Sequence, residues 1–499
     1  MLTRRQTIKT STALAAATLL PACGESEQTM SETGQYLPTI DSLRRHDTPL
    51  WFRNARFGVF IHWGLYSIPA YAPHRSAVPA DIKPGSYDQF KHNAYAEWYM
   101  NSLLFEDGPT AAYHREHYGT RTYSDFAQPF NEMLEQWDPE AWARDIAASG
   151  ARYLVLVTKH HDGFTLWPSS VKHPHRENWS TRRDVVGELG EAVRAQGMKF
   201  GVYYSGGIDW SFKHRRIESF AGLMLTVPRS GSGYLDYANA HYRELIERYR
   251  PDYLWNDICY PSESAALQVA ADYYNSVDDG LINDRWIALR GLLRPSAWRR
   301  PAGIDGLLPP QPPVWDVRTP EYAMFDRVLP FDWETTRGIG HSFGYNREET
   351  GEDLLSAWDI VRMLGQAACC NGNVLLNTGP RGDGTLDPLQ VERLHTVGQW
   401  LKHNGACVQD TQPLALSRSE INGVAVGATR NANTVYLHLL GTPPAGRYRI
   451  ELPEVPGINA ARLWNGETAG KVTLTDGELV LDIATWPDTP TQVLELSLA

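Results

Sequence analysis

Four apolar segments of this sequence end in polar or charged residues of types that do chemistry. The clusters contain His62, His160-His161, Ser205 and Asp257. If the segments are parallel strands, their C-terminal ends meet on one face, where barrels build their binding sites. A single polar residue at a strand end usually forms a cap or a turn. Four such clusters in one chain favour a functional site made from strand ends.

Asp257 is the sharpest candidate among these residues. It follows the apolar run 253–255, and a carboxylate buried there is costly unless a partner or a function requires it. A catalytic role and a structural ion pair both meet that condition. Arg285 is a candidate partner for the ion pair, so the two interpretations stay open at this point.

The adjacent His160 and His161 suggest a metal site. However, successive side chains of an extended backbone point to opposite faces, and no HxH or HExxH spacing accompanies the pair. We therefore favour hydrogen bonding to a substrate over metal binding, and we predict no metal and no cofactor. Buried histidines with a purely structural role are the remaining alternative.

Helices and strands alternate from about residue 137. Asp138-Pro139 begins a helix that Gly150 ends, and the apolar strand 152–158 follows it. Repeated βα units predict a parallel sheet, and the lack of a Gly-rich phosphate loop argues against a dinucleotide-binding fold. We predict an α/β fold with a (β/α)8-like barrel over 46–405. Its predicted insertions are 78–95, 105–130 and 287–313.

The remainder of the chain differs in pattern and completes the domain organisation. After residue 405, short alternating strands separated by turns predict an antiparallel β-sandwich over 406–499. Two domains suit a chain of 499 residues, because a single core stops growing near about 250 residues. The 47 basic and 58 acidic residues give a net charge of −11 without a basic cluster. Nucleic acid is therefore excluded as a partner.

The N-terminal segment is predicted to direct export. Two arginines precede a short apolar run, which is typical of a twin-arginine signal over 1–22. The run ends in a lipobox-like sequence, so Cys23 is the predicted lipidation site and 23–45 the tether. The protein is then a periplasmic or outer-membrane-anchored bacterial lipoprotein, which contacts the membrane through its lipid alone. A plain cleaved secretory signal is the alternative.

Several ordered motifs resemble the retaining α-L-fucosidases of glycoside hydrolase family 29. No single motif carries the resemblance, whereas their order over nearly the whole mature chain does. The motifs are WFRNARFGVFIHWG (51–64), AEWY (96–99), TKHHDGF (158–164), GVYYSGGIDW (201–210), YLWND (253–257), INDRW (282–286), EYAMFD (321–326), WETTRGIGHSFGYNR (333–347) and GNVLLNTGPRGDG (372–384).

The resemblance implies a barrel followed by a β-sandwich, and hydrolysis through a covalent fucosyl-enzyme. The family's nucleophile matches Asp257, and its acid/base carboxylate, on a loop of variable sequence, matches Glu321. Glu334, Glu348 and Glu349 are the alternatives for the acid/base. The two carboxylates of a retaining enzyme lie about 5–5.5 Å apart, and we expect that separation here.

The resemblance also implies a set of substrate-binding residues. They are His62, Glu97, Trp98, His160, His161, Tyr203, Trp255, Arg285 and Phe343. The expected function is exo-hydrolysis of terminal α-L-fucosyl residues from oligosaccharides or glycoconjugates. An α-L-galactosidase or fucan-directed specificity on the same site, and a non-catalytic fucose-binding lipoprotein, are the alternatives. Linkage preference and oligomeric state, including a homo-oligomer, stay open.

Overall fold

The computed structural model describes residues 35–79, 81–228, 231–298, 308–417, 420–464, 469–475, 478–486, 488–489 and 491–499. The predicted signal segment 1–22, Cys23 and the first part of the tether lie outside these residues. Within the described residues, no helix has both the length and the apolar character needed to cross a membrane. The four described cysteines are buried and free.

The second part of the predicted tether packs on the barrel. Residues Ile40–Leu43 form a helix, and the backbone of Tyr36 exchanges two hydrogen bonds with the Asn275 side chain, at 2.8 and 2.9 Å. The Tyr36 ring also contacts the ring of Tyr274. These contacts attach residues 36–43 to the folded domain, so the prediction of a tether as far as residue 45 extended it too far.

Seven parallel strands form the central sheet. Their order is β5-β4-β3-β2-β1-β7-β6, and every neighbouring pair is parallel. The strands are β1 Phe57–Ile61, β2 Tyr153–Lys159, β3 Lys199–Ser205, β4 Tyr253–Asp257, β5 Leu281–Ile282, β6 Trp333–Gly338 and β7 Gly372–Thr378.

Residues 317–321 close this sheet into a barrel. Val317 forms a parallel bridge with Asn283, just after β5, and Arg318 forms one with Trp333 of β6. A third bridge joins Glu321 to Thr336. This irregular segment therefore occupies the eighth position of the predicted barrel.

Within the described residues, thirteen α-helices accompany the strands. The N-cap predicted at Asp138 is confirmed, because its carboxylate accepts a hydrogen bond from the backbone N–H three residues later. Asp184 caps the helix that follows it in the same way. The helices are α1 Ile40–Leu43, α2 Leu50–Ala55, α3 Tyr87–Lys91, α4 Tyr99–Ser102, α5 Pro109–Tyr118, α6 Ala127–Met133, α7 Pro139–Ala148, α8 Val185–Ala195, α9 Phe220–Thr226, α10 Tyr234–Tyr249, α11 Glu263–Ser276, α12 Ala357–Cys369 and α13 Pro388–Asn404.

The pleat of the strands decides which side chains face the inside of the barrel. Tyr153, Val155 and Val157 of β2 belong to the inner core, together with Tyr203 of β3 and Trp255 of β4. The intervening residues pack outward, in the core shared with the helices. Since side chains alternate with a period of two, Asp257 also faces inward, two positions after Trp255.

The C-terminal part of the chain consists of antiparallel strands. They form a six-stranded sheet, β13-β16-β11-β10-β8 with β9 beside β10, and a three-stranded sheet, β12-β15-β14. Side chains from both sheets share one apolar core, as expected for a β-sandwich. The strands are β8 Gln412–Leu414, β9 Glu420–Ile421, β10 Val424–Asn431, β11 Thr434–Leu439, β12 Gly446–Ile450, β13 Ile458–Leu463, β14 Ala469–Thr475, β15 Glu478–Thr485 and β16 Gln492–Leu498.

Candidate active site

A cavity of about 210 Å³ opens at the C-terminal ends of the barrel strands. The structure brings all eleven site residues predicted from the sequence to this cavity. They are His62, Glu97, Trp98, His160, His161, Tyr203, Trp255, Asp257, Arg285, Glu321 and Phe343. Residues separated by up to 281 positions in the chain are therefore neighbours here, because the strand ends converge on one face.

Asp257 has a partner for each of its two carboxylate oxygens. The Tyr203 hydroxyl donates a hydrogen bond to Oδ2 at 2.7 Å, and Nη1 of Arg285 donates one to Oδ1 at 2.8 Å. The Asp257 side chain is 10% exposed and lines the cavity. The cost of burying this charge is thus offset by a cation and a hydroxyl, and its orientation is fixed from two sides.

The same guanidinium nitrogen joins the two carboxylates of the site. Nη1 of Arg285 lies 2.6 Å from Oε1 of Glu321 and 2.8 Å from Oδ1 of Asp257. These two oxygens are therefore within 5.4 Å of each other, which is the sum of the two distances. A separation of about 5–5.5 Å is typical of the carboxyl pair of retaining glycosidases.

Arg285 is itself held in place by the segment that closes the barrel. Its Nε donates to Thr319 Oγ1 and its Nη2 to Thr319 O, both at 3.1 Å. The guanidinium lies 4.5 Å above the Trp255 ring. Asp284 accepts a hydrogen bond of 2.6 Å from the Thr319 hydroxyl. Because Thr319 lies two residues before Glu321, one segment positions both the arginine and the second carboxylate.

Glu321 lies at the mouth of the cavity, with its side chain 37% exposed. Its position depends on pairing with β6, since Thr336 N donates to Pro320 O and Tyr322 N to Thr336 O, each at 3.0 Å. Because the Glu321 carboxyl is partly exposed, it can exchange a proton with solvent, whereas the neighbouring Asp257 carboxyl is buried.

The three alternative acid/base glutamates lie elsewhere. Glu334 is buried inside the barrel, where it accepts hydrogen bonds from the hydroxyls of Tyr153 and Tyr253. Glu349 accepts from two backbone N–H groups, at 2.9 and 2.8 Å, and Glu348 is exposed. Within the described part of the chain, none of the three lines the cavity.

Two histidines have a defined tautomer. Asn377 donates its Nδ2 to Phe343 O, so its Oδ1 accepts from Nδ1 of His62 at 2.6 Å. Ser205 donates to Ile208 O at 2.7 Å and therefore accepts from Nδ1 of His161 at 2.7 Å. Burial lowers the pKa of both imidazoles to about 3. Each neutral ring is left with Nε2 as a hydrogen-bond acceptor.

His160 and His161 both reach the cavity, with ring centroids 4.0 Å apart. They follow the last residue of β2, so the alternation expected on an extended strand does not separate them. Nδ1 of His160 is buried and finds no partner among the described residues. Within those residues, no group of three or more His, Cys, Asp or Glu side chains is arranged to hold a metal ion.

Glu97 is a further carboxyl in the cavity wall. Its Oε2 accepts hydrogen bonds from Gly344 N at 2.8 Å and from Ser342 Oγ at 3.2 Å. Burial outweighs these bonds and raises the pKa of Glu97 to about 7. The ring of Phe343 lies 5.0 Å from that of His62 and forms an apolar wall.

Several residues that orient the site were given no role from the sequence. Asn377, Ser205 and Thr319 orient His62, His161 and Arg285, respectively. Ser205 ends β3 and was named among the strand-end clusters, but without a role; Asn377 lies one residue before the end of β7, where the strand-end argument also applied. No signal in the sequence identified Thr319, Phe220 or Leu223, whereas the other residues of the outer wall lie in the predicted insertion 78–95. They are Gln89, Phe90, Asn93 and Tyr95.

A parallel barrel with two neighbouring carboxyl groups at its strand ends has the arrangement of a glycoside hydrolase site. The family model described as "Alpha-L-fucosidase" matches residues 24–406. The chain therefore belongs to the α-L-fucosidase family, and the predicted family resemblance is confirmed.

Individual relatives agree with the family model. The α-L-fucosidase of Branchiostoma floridae is 31% identical over 84% of this chain and 85% of that protein. The tissue α-L-fucosidase of Homo sapiens is 29% identical over 87% of this chain and 84% of that protein. The crystal structure of Thermotoga maritima α-fucosidase in complex with a mechanism-based inhibitor has a TM-score of 0.76 and 36% identity, covering 93% of this chain and 100% of that chain.

Proposed function

We propose that the protein is a retaining exo-α-L-fucosidase that hydrolyses terminal α-L-fucosyl residues from oligosaccharides or glycoconjugates. The observation that carries the proposal is the contact of one Arg285 nitrogen with both Asp257 and Glu321. It keeps the two contacting oxygens within 5.4 Å of each other, closer than the about 6.5–9.5 Å of inverting enzymes, which supports double displacement. Membership of the α-L-fucosidase family supports the substrate.

In the first step, an oxygen of Asp257 attacks C1 of the fucosyl residue. The bond from C1 to the leaving oxygen breaks, and Glu321 gives its proton to that oxygen. In the second step, Glu321 takes a proton from water, and the water oxygen attacks C1. The bond to Asp257 then breaks and its carboxylate is restored.

The neighbouring side chains suit the binding of the sugar. The Nε2 atoms of His62 and His161 are acceptors for its hydroxyl protons, and Glu97 is a further polar partner. The apolar wall at Phe343 suits the C6 methyl group of a 6-deoxy sugar.

The specificity is tested with paired aryl α-L-fucosides and α-L-galactosides. The two sugars differ only at C6, where fucose has a methyl group and galactose a hydroxymethyl group. Faster hydrolysis of the galactoside would contradict the choice of fucose.

The Asp257→Gly variant tests the mechanism. Without a nucleophile the variant should not turn over aryl α-L-fucosides. Azide is small enough to enter the space left by the carboxylate, attack C1 directly and give a β-fucosyl azide. Full activity of the variant would place the nucleophile elsewhere. Fucose binding without turnover in the unmodified protein would instead favour a binding protein.

We further propose export through the segment 1–22 and lipid attachment at Cys23. The support is in the sequence, where two arginines, an apolar run and a lipobox precede the cysteine in order. Cys23→Ser should move the protein from the membrane fraction to the soluble periplasmic fraction. An unchanged distribution would contradict lipidation.

A further inference from the structure

The cavity has an outer part that the proposed chemistry does not use. The floor of the cavity is built by strand-end residues such as His161 and Asp257, which are 2% and 7% exposed. Its rim comes from outside the barrel strands, from residues 89–95 and from α9. Phe220, the first residue of α9, is 58% exposed and still lines the cavity. The floor is therefore closed, and the mouth lies where Phe220 meets solvent.

The ring of Phe220 is fixed at this mouth. The Ser219 hydroxyl caps α9 by accepting a hydrogen bond from Gly222 N at 3.0 Å. The ring lies against Gly85, at which a Cβ atom would come within 2.5 Å of a ring carbon. It also meets the ring of Phe90 edge-on, with centroids 6.0 Å apart and planes at 84°. The exposed face of the Phe220 ring is therefore held in a fixed orientation. An exposed apolar surface that lines a cavity is typical of a ligand-binding site.

Two amide side chains that line the same cavity have free donor groups. Oε1 of Gln89 accepts a hydrogen bond from Gly85 N, and Oδ1 of Asn93 accepts one from Tyr95 N at 3.0 Å. Because each backbone N–H must donate, the oxygen of each amide is the engaged atom. Each NH2 group is then the atom left to donate, and neither has an acceptor among the described residues. Both side chains line the cavity.

We propose that Phe220, Gln89 and Asn93 form the binding site for the leaving sugar, the pyranose to which the fucosyl residue is attached. This inference rests on the proposed function, because the fucosyl ring must occupy the floor for the next ring to reach the rim. The C–H face of a pyranose stacks on the Phe220 ring. The two NH2 groups donate to its hydroxyl or acetamido oxygens. Since the three side chains are uncharged, the site suits a neutral sugar.

The test compares substrates with and without a second ring. α-L-Fucosyl fluoride has no leaving sugar. The matched set contains fucose α-1,2-linked to galactose and fucose α-1,3-, α-1,4- or α-1,6-linked to N-acetylglucosamine. In full-length Phe220→Ala, kcat/KM on the best disaccharide should fall about five- to tenfold, the value of one aromatic contact. The rate on the fluoride should change less than twofold, which also shows that the variant folds.

Further variants separate stacking from hydrogen bonding. Phe220→Tyr keeps the ring and should restore the disaccharide rate. Gln89→Glu and Asn93→Asp keep the oxygen that binds the backbone but remove the NH2 donor, so each should lose about threefold on the disaccharide alone. Leu225→Ala is the matched control, because Leu225 is 55% exposed on the same helix and lies outside the cavity wall.

The outcomes distinguish this site from the proposed activity. Equal losses on the fluoride and the disaccharide, or a loss in Leu225→Ala as large as in Phe220→Ala, would overturn the leaving-sugar site. Hydrolysis of the fluoride with none of the four disaccharides cleaved would overturn it as well. Absence of fluoride hydrolysis by the unmodified protein would instead contradict the proposed fucosidase activity.

Discussion

The hydroxyl of Tyr203 offers the sharpest test of how the nucleophile is held. It donates to Oδ2 of Asp257 at 2.7 Å, while the ring stacks on Trp255 with centroids 5.4 Å apart. Tyr203→Phe removes the hydroxyl and leaves this buried packing. In the second step of the proposed mechanism the carboxylate leaves C1 and regains its charge, so the hydroxyl should stabilise that transition state most.

The expected size of the effect follows from the type of contact. A hydrogen bond to a charged group contributes about 1.5–3 kcal/mol, which corresponds to about 10- to 150-fold in rate. We expect kcat on 4-nitrophenyl α-L-fucoside to fall by that factor. KM should fall as well, because the fucosyl-enzyme accumulates. Stopped-flow measurement should then show a burst of nitrophenol equal to the enzyme concentration.

Tyr204→Phe is the matched control for this variant. Tyr204 is the next residue and is equally buried, but its hydroxyl contacts Nδ1 of His241 at 3.1 Å, outside the cavity. Its kcat should stay within twofold of the unmodified protein. If Tyr203→Phe also stays within threefold, or if both variants lose the same activity, the hydroxyl of Tyr203 does not act on the nucleophile.

Two further predictions concern the other carboxyl groups of the cavity. Glu321→Ala should lower kcat/KM on a disaccharide about 10²- to 10⁴-fold, but affect α-L-fucosyl fluoride far less, because fluoride departs without a proton; equal losses would assign the acid role to another group. Burial raises the pKa of Glu97 from 4.5 to about 7, so the folded chain retains a proton there that the unfolded chain releases. The stability that this proton contributes is complete below pH 4.5 and is lost as pH rises through about 7. Glu97→Gln cannot titrate, so its Tm relative to the unmodified protein should rise between pH 5 and pH 8, and a difference independent of pH would contradict the raised pKa.

The parts of the fold predicted well from the sequence depend on near neighbours. Asp138, the predicted N-cap, caps its helix through an N–H three residues away. The alternation that turns Tyr203 and Trp255 inward has a period of two residues. For the same reason the strand-end motifs identified residues that the fold brings to one cavity.

The parts that the sequence left open depend on distant contacts. The motif match favoured Glu321, but its neighbours in the chain did not exclude the alternatives, which were Glu334, Glu348 and Glu349. The position of Glu321 follows from the bridges of residues 317–321 to β5 and β6, of which the bridge from Val317 spans 34 residues to Asn283. The Pro- and Arg-rich stretch 287–313 lies between Asn283 and Val317 and was predicted as an insertion. It gave no indication that the residues after it close the barrel.

The sequence by itself thus determined the order of the elements, the inward direction of the strand residues and the family. Only the tertiary structure decided which glutamate shares Arg285 with Asp257, and that Phe220 reaches the mouth of the cavity. The physical reason is the range of the interactions. Capping and pleating act over two to four residues and leave a pattern in the chain, whereas barrel closure and the packing of Phe220 on Gly85 join residues whose separation the pattern does not encode.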